Sequence, residues 1–125
     1  MQDSDRPVVL LVEDEAIIRM GTAELLEDAG FSVLEAADGV GALDALQGRS
    51  DVSVVITDID MPRMDGLTLE MELRRRFPTL RVVLTSGKTY LRDDALPPGV
   101  PFFEKPVSDN DLIRCVRNLV SGNEG

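Results

Sequence analysis

Five polar residues in this chain each stand directly after an apolar run. Glu13 and Asp14 follow VVLLV, Asp58 follows VVIT, Ser86 follows VVLT and Lys105 follows PFFE. Short β-branched runs of this kind form strands buried on both faces of a parallel sheet. Ligands of such sheets bind beyond the carboxyl ends of the strands, so all five residues belong to one edge. Singly, an acidic residue after a strand is an ordinary turn or N-cap residue. Together, three carboxylates on one edge repel one another and raise a pKa unless a cation neutralises them. Mg²⁺ suits such a cluster, because it uses a few carboxylates, keeps waters and reserves other positions for phosphate oxygens. Lys105 then supplies a mobile charge for a phosphoryl group, and the Ser86 hydroxyl donates to another of its oxygens. Asp58 becomes the candidate nucleophile. A carboxylate can attack phosphorus to give an acyl phosphate, while metal and lysine offset charge on the equatorial oxygens.

Composition narrows the alternatives. Histidine is absent, which removes Ser-His and Cys-His nucleophile pairs and His-ligated zinc. The one cysteine, Cys115, excludes an intramolecular disulfide and a Cys-based metal site. Thirteen basic residues against 23 acidic ones give a formal charge of −10, a field that repels nucleic acid and anionic membrane surfaces. The first residues, MQDSDRP, offer neither the basic flank nor the apolar stretch of a signal peptide, and no apolar run is long enough to span a bilayer. A cytoplasmic protein is expected.

The elements that must position the five residues alternate along the chain. Val8 to Val12, Val52 to Thr57 and Arg81 to Ser86 read as buried strands, with Phe31 to Ala36 and Pro101 to Lys105 as weaker ones. Between them lie helical stripes: Ile17, Ile18, Leu25, Leu26 and Ala29; Val40, Leu43 and Leu46; Leu69, Leu73 and Phe77; and Leu112, Cys115, Val116 and Leu119. Gly30 sits where a left-handed helix cap fits and Ser108 where an N-cap fits. The alternation predicts an α/β fold: a doubly wound parallel sheet with helices on both faces, built from right-handed crossovers. Length predicts one domain over 1–125, with polar tails at 1–6 and 121–125. Thr89 to Val100 is the least regular stretch, since Pro97, Pro98 and Gly99 stop a helix there. A fourth helix in this place is therefore expected to be short or irregular. The Cys115 stripe predicts a core thiol, not a redox sensor.

Four motifs, VVLLVEDE, VVITDIDMPRMDG, VVLTSG and FFEKP, stand in this order. With them the chain resembles, over nearly its whole length, the receiver domain of response regulators in two-component signalling. The resemblance implies a five-stranded sheet of order 2-1-3-4-5 and Mg²⁺ held by Glu13, Asp14, Asp58 and the backbone carbonyl of Asp60. It implies Asp58 as phosphoacceptor, Ser86 and Lys105 as the residues that act on its phosphoryl group, and Ser86 with Phe102 as the switch. Under the same resemblance the Asp60 side chain tunes phosphoryl lifetime and the Lys105–Pro106 peptide is cis. Pro62 and Gly66 shape the loop after Asp58, where they otherwise read as ordinary turn residues. The implied partners are a sensor histidine kinase or a histidine phosphotransfer protein, and an output protein docking on 87–100 and the last helix. The domain would be regulatory, assisting only its own phosphorylation and dephosphorylation. Phe102 departs from the pattern, because the switch aromatic often carries a hydroxyl.

Three other readings compete. A haloacid-dehalogenase-type Mg²⁺-dependent phosphatase would use Asp58 as nucleophile and Asp60 as acid. Its nucleophile belongs on the first strand and its last acidic pair after the lysine, whereas here Glu13 and Asp14 precede and Asp93 and Asp94 come before Lys105. A flavodoxin-like nucleotide or flavin binder lacks a Gly-rich phosphate loop here and has only Tyr90 and four Phe for stacking. A receiver that has lost its chemistry and only binds partners is at odds with the complete set of site residues.

Overall fold

Strands β1 (Val8–Val12), β2 (Ser32–Ala36), β3 (Val52–Asp58), β4 (Arg81–Ser86) and β5 (Phe102–Glu104) alternate with helices α1 (Ala16–Asp28), α2 (Gly39–Leu46), α3 (Gly66–Arg76) and α4 (Asp109–Val120). The computed structural model describes residues 6–87 and 96–122. All four strand pairings are parallel, in the order β2-β1-β3-β4-β5. This is the doubly wound order expected. The irregular fourth helix expected between Thr89 and Val100 falls largely on residues 88–95, which lie outside the described residues, as do most of the polar tails. From 96 onward the chain turns through Gly99, whose φ of +79° only a residue without a Cβ adopts easily, before β5 begins.

The sheet divides two apolar layers, and the two-residue period of the strands assigns each side chain to one of them. Leu10, Val12, Val55, Val82 and Leu84 pack with Ala42 and Leu46 of α2 and with Leu69 and Leu73 of α3. Val9, Leu11, Val54, Ile56 and Val83 pack with Ala23 and Leu26 of α1 and with Leu112, Ile113 and Val116 of α4. A register shift between Val8 and Val9 sends Val52 and Val54 to opposite layers although they are two residues apart.

Helix boundaries follow local chemistry. Gly30, at φ +104°, ends α1: its N–H donates to the Glu27 carbonyl and the Phe31 N–H to the Leu26 carbonyl, and Phe31 and Leu26 meet in the core. Asp38, Asp65 and Ser108 cap α2, α3 and α4 through their side chains. The α1 stripe differs from expectation. Ile17 is 85% exposed, because at 3.6 residues per turn it lies about half a turn from the buried Leu26. Ala23 and Leu26 face the sheet, and Val40 of α2 is likewise exposed. Among the described residues no helix is long and apolar enough to cross a membrane.

Candidate active site

The carboxyl ends of β1, β3, β4 and β5 bring Glu13, Asp14, Asp58, Ser86 and Lys105 to one edge of the sheet, and sheet hydrogen bonds continue into the site. The Glu13 N–H donates to the Ala36 carbonyl at 3.1 Å, the Ile59 N–H to Thr85 at 2.8 Å, and the Lys105 N–H to Ser86 at 2.8 Å. One carboxylate oxygen from each of Glu13, Asp14 and Asp58 lies within 4.8 Å of the others. Glu13 and Asp58 are buried, whereas Asp14 is exposed and leaves the cluster open on one side.

Lys105 closes the cluster from β5. Its Nζ is 2.8 Å from Glu13 Oε1 and 3.2 Å from Asp58 Oδ2. Burial pushes the Asp58 carboxyl upward, the Lys105 charge pulls it back and the Glu13 charge adds to the rise, leaving it above the ordinary carboxylate range. Burial lowers the Lys105 ammonium, but its bond to Glu13 and the charges of Asp58 and Glu13 outweigh that and leave it raised. The Lys105–Pro106 peptide is cis.

Asp60 touches both neighbours. Its N–H donates to Asp58 Oδ1 at 3.4 Å, and its Oδ2 accepts from the fully buried Ser86 Oγ at 2.7 Å. Phe102 opens β5, partly buried against the layer under α2 and α3. Cys115 is partly buried against the opposite layer, and burial raises its thiol pKa.

Three features of the site have no mark in the strand-end pattern. Arg19 donates from Nη1 to the Glu13 carbonyl at 2.7 Å and from Nε to Glu35 Oε1 at 3.2 Å, so α1 and β2 both hold the acidic turn. Arg63, at φ +69°, pairs with Asp38 and ties the loop after β3 to the start of α2. Gly66 is more than a turn residue: a Cβ there would meet the backbone of Asp58 and Ile59. The regular spacing of Arg19 in α1 gave no hint of its role, whereas a glycine opening a helix beside the candidate nucleophile was a usable signal of close approach.

A family model described as the response regulator receiver domain matches residues 9–117. The chain belongs to this family. Among relatives of this receiver domain, the sensor kinase CckA of Brucella abortus is 37% identical over 94% of the chain, which spans 13% of that protein. The transcriptional regulatory protein PdtaR of Mycobacterium tuberculosis is 36% identical over 95% of the chain and 60% of its own length. The chain thus spans less than two thirds of each of these relatives. A response regulator receiver protein from Sinorhizobium medicae superposes with a TM-score of 0.85 at 29% identity, covering 94% of this chain and 96% of that one. The receiver domain of the hybrid histidine kinase CckA gives 0.76 at 34%, covering 90% and 98%. Receiver domains are regulatory units of two-component signalling that partner with histidine kinases and output domains and generally bind Mg²⁺ in an acidic pocket. Nothing in these comparisons supports the phosphatase alternative.

Proposed function

We propose that this receiver accepts a phosphoryl group on Asp58, with Mg²⁺ bound beside it, from a partner histidine kinase or histidine phosphotransfer protein. The supporting observation is the position of Lys105 Nζ, 2.8 Å from Glu13 and 3.2 Å from Asp58, beside a three-carboxylate cluster that is open to solvent at Asp14. The donor set fits the ion, being hard oxygens few enough to leave positions for water and phosphate. Glu13, Asp14, Asp58 and the Asp60 carbonyl would hold it. When bound, Mg²⁺ supplies positive charge against the oxygens of the group in transfer.

The residues do the rest. An Asp58 carboxylate oxygen forms the new O–P bond as the P–N bond of a phosphohistidine breaks, and the leaving imidazole keeps the electron pair. Lys105 opposes the upward push of burial on Asp58, which favours the ionised nucleophile, and then faces the phosphoryl oxygens. Ser86 donates its hydroxyl to one of those oxygens, and Phe102 follows into the space vacated. The output partner docks on 87–100 and α4, and the domain acts as a regulator, turning over no substrate beyond its own acyl phosphate. The single-domain organisation over 1–125 belongs to this reading, supported by one sheet whose strands run from Val8 to Glu104.

Incubation with acetyl phosphate and Mg²⁺ is expected to add one acid-stable, base-labile phosphoryl group, and Asp58→Asn to abolish it. Equal modification of the Asn variant would refute the assignment. Glu13→Gln or Asp14→Asn is expected to weaken metal binding, whereas Lys105→Ala leaves the metal bound and slows the response. Amide exchange in peptides spanning Gly87 to Val100 is expected to change on adding beryllofluoride with Mg²⁺.

A further inference from the structure

We infer that the Asp60 carboxylate is a latch on the Ser86 hydroxyl, holding it away from the phosphoryl site until Asp58 is modified. The inference rests on the proposed role of Asp58 as phosphoacceptor. A serine hydroxyl has a single proton to donate. In this structure Ser86 Oγ gives it to Asp60 Oδ2 at 2.7 Å, a charge-assisted bond made at a fully buried position. Donation to a phosphoryl oxygen therefore requires that bond to break.

The backbone of Ser86 is fixed in the sheet, since its carbonyl accepts from the Lys105 N–H at 2.8 Å and it pairs in register with Glu104. Only the side-chain torsion is left to move. Asp60, by contrast, is partly exposed, so giving up this bond costs its carboxylate less than a fully buried acceptor would lose. The latch is thus a threshold and not a block. Asp60 also touches Asp58 through its own N–H at 3.4 Å, so one residue reports on the nucleophile and restrains the switch hydroxyl. Holding the competent rotamer at a small population weakens the apparent affinity for any phosphoryl-like ligand in proportion.

The test is a double-mutant cycle in the whole chain, with beryllofluoride and Mg²⁺ as the probe and its dissociation constant as the readout. Asp60→Ala is expected to tighten binding about tenfold, the scale of one hydrogen bond to a charged group. Part of any gain comes from removing a negative charge near an anion. That part survives in the Ser86→Ala background, and the latch part does not, so the gain there is expected to shrink severalfold. Asp60→Asn, which keeps an acceptor oxygen, is expected to gain less than Asp60→Ala. Thermal unfolding checks that each variant is folded, and the Asn–Ala comparison decides the matter without the Ser86 variant. Equal gains in both backgrounds, equal gains for Asn and Ala, or weaker binding by Asp60→Ala would overturn the latch. Failure of the unsubstituted protein to bind the probe would overturn the phosphoacceptor reading instead.

Discussion

Gly66 lies so close to the end of β3 that a Cβ on it would run into the Asp58 carbonyl oxygen and stand 2.7 Å from Ile59 Cα. Neither neighbour is a side chain that can swing away. Gly66→Ala must therefore push α3 from the strand or drag the strand end that carries Asp58. Overpacking of this kind costs about 1–3 kcal/mol. Thermal unfolding is expected to fall by several degrees, with phosphorylation by acetyl phosphate slowed as well. An unchanged melting temperature would mean that the contact relaxes freely.

Asp58 is expected to make the protein's stability depend on pH. Burial is the largest cause of its raised pKa, so the folded state holds this proton more tightly than the unfolded chain does. Between the ordinary carboxylate range and the raised value, the native state binds more protons, and stability falls as pH rises through that window. Asp58→Asn abolishes this contribution. Its stability relative to the parent is expected to be higher at pH 7 than at pH 4, measured by denaturant unfolding in metal-free buffer. A difference independent of pH would contradict the assignment of the shift.

Arg19 reaches the site through a carbonyl, not through a ligand side chain. Its 2.7 Å bond to the Glu13 carbonyl fixes the turn that presents Glu13 and Asp14. Loss of an outer-sphere partner of this kind weakens metal affinity by roughly 10-fold or more. Arg19→Ala is expected to show that loss in a calorimetric Mg²⁺ titration while leaving the fold intact. Arg19→Lys, which cannot reach the Glu13 carbonyl and Glu35 with one planar fork, is expected to restore little of it. Affinity equal to the parent in the Ala variant would remove Arg19 from the site.

These outcomes depend on features of unequal visibility in the sequence. β1 begins and ends where its apolar run does, and β4 is built around the run Val82 to Leu84, because the middle of a strand buried on both faces must be apolar. Glu13, Asp58, Ser86 and Lys105 were readable for the same reason: each marks the place where such a run stops. The orientation of α1 was not. Ile17 and Leu26 are equally apolar, and only packing against the sheet decides that Leu26 is buried while Ile17 is 85% exposed. The Ser86–Asp60 and Arg19–Glu13 bonds were hidden because they join different elements whose approach only the folded chain defines.

Cys115 offers a direct probe of the layer between the sheet and α4. Burial raises its pKa, so its reactive thiolate is scarce near neutral pH. Native protein is expected to react with a thiol reagent much more slowly than protein in guanidinium. Equal rates would place the sulfur outside the core.

The hydrogen bonds at the sheet edge, from Glu13 to Ala36, Ile59 to Thr85 and Lys105 to Ser86, extend the ladder one step past the strands into the site. The reactive groups are thus mounted on the main chain, whose pairing does not depend on which side chains face outward. Exposed positions such as Ile17, Met20 and Met71 contribute nothing to that mounting. Mutation can redraw the outer faces of the helices without displacing the groups at the edge. A lineage of such domains can diversify its outer surface while inheriting the geometry of its edge unchanged.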